Sequence, residues 1–179
     1  MKSSSIKKMI LSAVFLALGM VLPLFTGQIK EIGDSLLPMH IPVMLCGLIC
    51  GPVCGGFIGL VLPFLRSIIF SMPPIYPQAV WMAVELCAYG LVIGFMYLML
   101  KKKSVLNVYI SLITAMLAGR VVWGIAKAIL LGVGGKAFTL EMFMKGGFID
   151  AAPGILLQLI LIPTVVTLVE KLKRRNWNG

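Results

Sequence analysis

Residues 40–67 read HIPVMLCGLICGPVCGGFIGLVLPFLRS, and how this stretch is divided decides how many times the chain crosses a membrane. Arg66 is its single formal charge, and Gly51-Pro52 interrupts it with two residues that favour a tight turn. After the turn, residues 52–70 form an apolar run close to the roughly 20 residues that a spanning helix needs. Before it, residues 37–50 are equally apolar but short. With His40 near the start and Pro42 inside, they predict a short or oblique second helix.

The rest of the chain agrees with a bilayer setting. Of 179 residues, 60% are hydrophobic and 12% charged, a balance outside the range of soluble domains. Further apolar runs cover residues 6–25, 77–100, 105–133 and 147–170. The expected fold is an all-α integral membrane bundle of six transmembrane helices, in one membrane domain over residues 1–179. Linkers are too short to add a soluble domain.

Charge placement sets the orientation, because loops rich in Lys and Arg stay on the cytoplasmic side. Lys2, Lys7, Lys8, Lys101, Lys102, Lys103, Lys171, Lys173, Arg174 and Arg175 fall on one side. On the other, Lys30, Lys136 and Lys145 are balanced by Glu31, Asp34 and Glu141. Both termini are therefore expected in the cytoplasm, which requires an even number of crossings and supports counting residues 37–50. The first run is about 18 residues, longer than a signal-peptide core, and no A-x-A site follows it, so it is read as a retained helix. A net charge of +10 does not indicate nucleic acid, since the basic residues are spread over three membrane borders without an aromatic platform.

Five ionisable residues lie inside apolar runs: Arg66, Glu85, Arg120, Lys127 and Asp150. Placing a charge in lipid costs several kcal/mol, so such residues mark function or pair with each other. Counted along their helices at about 1.5 Å per residue, four fall in the outer half and Arg120 near the centre. That is the pattern of a polar cavity open to the outside. Static pairs, Glu85 with Arg120 or Asp150 with Lys127, are the simpler reading. Three cations against two anions leave a surplus that suits a ligand carboxylate or phosphate. Arg66 is the first candidate for that contact because its planar fork can hold a carboxylate through two hydrogen bonds, although it could instead snorkel to headgroups. Trp81 and Glu85 share a helix face, as do Trp123 and Lys127. Together with Tyr89 and His40 they complete the expected substrate-binding set.

Other chemistry is disfavoured. Cys46, Cys50, Cys54 and Cys87 contain no C-x2-C pair, and a lone histidine makes a metal site improbable, so no metal, cofactor or disulfide is expected. No H-E-x2-H, G-x-S-x-G or Walker-type phosphate loop occurs, so the chain is not expected to be an enzyme. Small residues at Ala13-x3-Ala17, Gly55-Gly56-x2-Gly59 and Ala115-x2-Ala118-Gly119 allow close helix approach. The glycines suit packing within the bundle, whereas the alanine strip could equally receive a partner. No internal repeat is visible, which counts against the alternative of a self-sufficient carrier or channel.

In its size, its six helices with both ends inside, the Ala13-x3-Ala17 strip and above all residues 40–67, the chain resembles the substrate-binding S components of energy-coupling factor (ECF) vitamin transporters. The resemblance covers nearly the whole length. It implies that residues 26–36 form a gating loop, that Gly51-Pro52 is the turn between helices two and three, and that residues 53–66 end near the substrate. It further implies that Ala13 and Ala17 meet a transmembrane scaffold subunit, that two ATPase subunits supply energy, and that the protein topples to release cargo. The implied substrate is a small vitamin or related micronutrient. Pantothenate is the first candidate, with riboflavin, folate or a queuosine precursor behind it.

Overall fold

A computed structural model describes residues 2–26, 35–100, 104–135 and 137–175. Most of the expected gating loop, the run Lys101–Lys103, and Lys30, Glu31, Asp34 and Lys136 lie outside the described residues, as do the side chains of Lys173, Arg174 and Arg175.

Helix α1 covers Lys2–Val21 and continues as a 3-10 turn, Leu22–Thr26, where Pro23 cannot extend the α-helical ladder. Helix α2 is His40–Cys50, three residues shorter at its start than the apolar run suggested. Gly51, at φ 109°, ends it in a conformation that side chains rarely adopt, and Pro52 occupies the first turn of α3 (Pro52–Phe70). Ser71 closes α3, and the Ser67 hydroxyl donates to the Pro73 carbonyl across the turn that follows. A π-turn, Ile75–Ala79, leads into α4 (Val80–Met99), and Ser104 caps α5 (Val105–Val133) by accepting from the Leu106 N–H at 3.3 Å.

The sequence reading anticipated no helix between α5 and the last crossing. The structure has a short one, α6 (Leu140–Met144), capped by Thr139, whose hydroxyl accepts from the Met142 N–H. A π-turn through Gly146-Gly147, Lys145–Ile149, then delays α7 to Ala152–Arg175, later than the expected start at 147.

Among the described residues five helices are long and apolar enough to cross a bilayer, and of the six expected crossings α2 is the exception at eleven residues. Its position resolves the mismatch. It packs against α1, α3, α4 and α7, and ten of its eleven residues are buried. A helix apolar on every side belongs in the middle of a bundle, where protein and not lipid surrounds it. Glycines make room for it. A Cβ on Gly47 of α2 would come within 2.6 Å of the Gly90 carbonyl oxygen on α4, and one on Gly55 of α3 within 2.6 Å of Gly47 Cα. The three backbones thus touch nearly directly, the approach that small residues permit in membranes. Outside this core, Ile10, Val53, Phe57, Ile68, Phe95, Ile113, Ile129 and Ile160 are exposed, an apolar surface that only lipid or another membrane protein could cover.

Candidate functional site

Glu85 sits on α4 five residues, about one and a half turns, before Gly90, so the close packing of α3 and α4 fixes its height. From there its Oε1 meets two partners. Arg120 Nη1, on α5, donates to it at 3.0 Å, and His40 Nε2, at the start of α2, lies 3.4 Å away. All three residues are at most 4% exposed. The Tyr89 ring, one turn along from Glu85, meets the His40 ring edge-on with centroids 5.0 Å apart. Three helices thus converge on one carboxylate, and the pairing of Glu85 with Arg120 weighed from the sequence is present.

The triad leaves polar atoms unused. His40 Nδ1 and Arg120 Nε and Nη2 are buried without a hydrogen-bond partner among the described residues. A buried unmet donor costs about 1–3 kcal/mol, more when charged, so these atoms call for an explanation. Their chemistry is specific. Nε and Nη2 form the side edge of the guanidinium, two parallel N–H groups spaced for a carboxylate or phosphate. When neutral His40 donates through Nε2 to Glu85, its Nδ1 becomes an acceptor.

Trp123 extends the site along α5. The Arg120 guanidinium lies 5.9 Å from its ring centroid and Lys127 Nζ 4.6 Å from the same ring. Trp81 and Phe138 also flank Lys127, at 5.5 and 5.7 Å, so its ammonium sits among three aromatic faces. Phe138 and Phe143 pack on Trp123, and the Gly146-Gly147 turn lies over it, close enough that a Cβ on Gly146 would stand 3.2 Å from the indole. Beside these aromatics an apolar groove of about 350 Å³, lined by Gly124, Ala128, Phe138 and Phe143 together with exposed Val121 and Ile125, faces outward from the bundle.

The other residues expected in the site lie elsewhere. Arg66 is buried, but Nη1 donates to the Met20 carbonyl at the end of α1 and its guanidinium stacks over Phe70 at 5.1 Å. Carbonyls in the last turn of a helix have no intrahelical partner, so this bond ties α3 to α1. Asp150 is exposed in the turn before α7, its backbone N–H bonded to the Lys145 carbonyl at 2.8 Å. Ala13 and Ala17 are exposed on α1. No disulfide joins Cys46, Cys50, Cys54 or Cys87, Cys46 lies 3.6 Å from the Ser12 hydroxyl, and no group of metal-binding side chains occurs among the described residues.

Sequence reasoning missed Phe138 and Phe143, because they lie between the apolar runs 105–133 and 147–170, outside every stretch expected to form a helix. It also passed over two intramembrane polar residues on the last helix. Gln158 is 1% exposed, and Glu170 accepts a hydrogen bond from the Tyr97 hydroxyl. A charge-only survey overlooks Gln158, and Glu170 is the last residue of the expected run 147–170, beside the basic tail.

A sequence model of the family described as "ECF transporter, substrate-specific component" matches residues 7–169. The chain belongs to this family. As an ECF substrate-specific component it is a multi-pass membrane transport subunit and not an enzyme, and ATP hydrolysis resides in separate subunits with which it partners. Substrate capture is its role, which sets aside the self-sufficient carrier. No protein of curated function matches the chain.

Proposed function

We propose that this S component captures a small water-soluble vitamin bearing a carboxylate, with pantothenate the first candidate, from the outer side of a membrane whose cytoplasmic face holds both termini. The unused Nε–Nη2 edge of Arg120 is the observation that supports this reading. Glu85 holds the guanidinium from its Nη1 side, so a ligand carboxylate approaching the free edge would make two charge-assisted bonds without displacing Glu85. His40 Nδ1 would accept from a ligand hydroxyl or amide N–H, while Tyr89, Trp81 and Trp123 would enclose its apolar part. Lys127 adds positive charge next to the same indole. Folate also carries carboxylates; riboflavin and a queuosine precursor do not, and fit this edge less well.

Orientation rests on the Lys and Arg distribution, and release on docking of exposed Ala13 and Ala17 against the scaffold subunit, with toppling of the S component in the bilayer. Native mass spectrometry of the detergent-purified chain tests the substrate reading. The expected result is a retained carboxylate vitamin that Arg120→Lys, which keeps the charge but loses the fork, fails to hold. Retention of a cationic vitamin such as thiamine would refute it.

A further inference from the structure

Four buried side-chain atoms lack a hydrogen-bond partner among the described residues, and three of them belong to His40 and Arg120. The fourth is Gln158 Nε2 on α7, a helix that contributes nothing to the site as described so far.

The position of Gln158 follows from its neighbours. Gly154, one turn earlier on the same helix face, packs so closely on the segment before α2 that a Cβ there would lie 2.8 Å from the Leu36 carbonyl carbon. Leu36 precedes His40 by four residues, and α2 and α7, the second and sixth of six alternating segments, run the same way. One turn beyond the Gly154 contact and on the same face, Gln158 is placed toward the start of α2. Helix α7 also contacts α5, the helix of Arg120. A carboxamide whose Nε2 has no partner among the described residues, 1% exposed on a helix that packs against both α2 and α5, is costly unless something binds it.

We propose that Gln158 is a second polar anchor of the capture site, donating an N–H to a neutral carbonyl or hydroxyl oxygen of the substrate while Arg120 holds its carboxylate. Axes of packed helices stand about 8–10 Å apart, so donors on α5 and α7 select a carboxylate whose second acceptor lies several bonds away. The substrate class is then an amido- or hydroxy-substituted carboxylate, and not a short or bare one. This inference rests on the carboxylate reading of Arg120.

The test uses the full chain in detergent, as wild type, Gln158→Met and Arg120→Lys, with pantothenate, folate, biotin and nicotinate as probes. Nicotinate has no carbonyl or hydroxyl beyond its carboxylate. Wild type is expected to bind one of the first three in preference to nicotinate, and Gln158→Met to weaken that binding by about tenfold, the worth of one hydrogen bond to a neutral acceptor. Ligand-free Gln158→Met should unfold no lower than wild type, because an apolar side chain removes an unmet donor. Unchanged affinity in Gln158→Met alongside loss in Arg120→Lys would overturn the second anchor and leave the carboxylate reading standing. A lower midpoint for ligand-free Gln158→Met would make the amide a structural tie and overturn the proposal too, as would a preference for nicotinate. If wild type binds none of the four, or Arg120→Lys binds as well as wild type, both readings fail.

Discussion

Replacing Glu85 by Gln keeps the shape of the side chain and removes its charge, leaving the Arg120 guanidinium buried without a counter-ion. At the observed 3.0 Å and an effective dielectric constant of about 20, the direct attraction is roughly 5 kcal/mol. That agrees with the loss of about 3–5 kcal/mol when one partner of a buried pair is removed. At about 2–4 °C per kcal/mol for a chain of this size, the unfolding midpoint should fall by about 6–20 °C. Arg120→Gln should cost a similar amount, since it strands the carboxylate. The double variant removes both charges and should recover most of the loss, because two neutral groups avoid the desolvation that neither single variant escapes. Thermal unfolding of the four proteins in one detergent, without ligand, measures this. Single variants as stable as wild type, or a double variant as unstable as the sum of the two, would refute the reasoning and mean that water or lipid, and not the pair, neutralises these charges.

Three further outcomes follow from contacts already described. Arg66→Ala removes a charged donor from the Met20 carbonyl and should lower stability by about 1.5–3 kcal/mol while pantothenate affinity stays the same; weaker binding at an unchanged midpoint would return Arg66 to the ligand. Gly90→Val places a side chain against the Gly55 backbone and should cost at least about 1–3 kcal/mol, read from the midpoint and from the monodisperse fraction in gel filtration, whereas wild-type behaviour would mean these helices do not pack glycine to glycine. Ala13→Trp, on the exposed strip of α1, should abolish copurification with the scaffold subunit and leave vitamin binding intact, and full assembly with tryptophan there would move the docking surface elsewhere.

The bundle was legible because hydropathy and backbone chemistry leave few options in lipid. Long apolar runs must be helices, and Gly51-Pro52 has to be a turn. Boundaries drifted only where polar turns join the helices, as at Gly146-Gly147, whose glycines start α7 late and let the chain press onto Trp123. The site was legible in part. Spacing along one helix put Trp81 with Glu85 and Trp123 with Lys127, but no periodicity says which helix faces which. The meeting of His40 and Glu85 depends on α2, α3 and α4 packed through Gly47, Gly55 and Gly90, two of which lie outside the Gly55-Gly56-x2-Gly59 motif, and Arg120 joins them from α5, where a Cβ on Gly119 would run into the Tyr89 ring. Arg66 shows the converse. Its depth and its fork suited a ligand, yet the nearby end of α1 offers a carbonyl that sequence spacing could not reveal.

The short second helix connects this packing to capture. Eleven residues rise about 16 Å, roughly half of a 30 Å hydrocarbon core. Gly51-Pro52 joins the lower end of α2 directly to α3, so with the termini cytoplasmic the missing length lies toward the outside. On the proposed orientation, His40 then starts its helix well below the outer surface, at the depth where Glu85 and Arg120 meet. On the proposed reading, the brevity of α2 and the unmet hydrogen-bonding capacity of His40 and Arg120 are one feature, because a helix that begins at His40 leaves its first side chain, and not an apolar turn, to meet a polar guest.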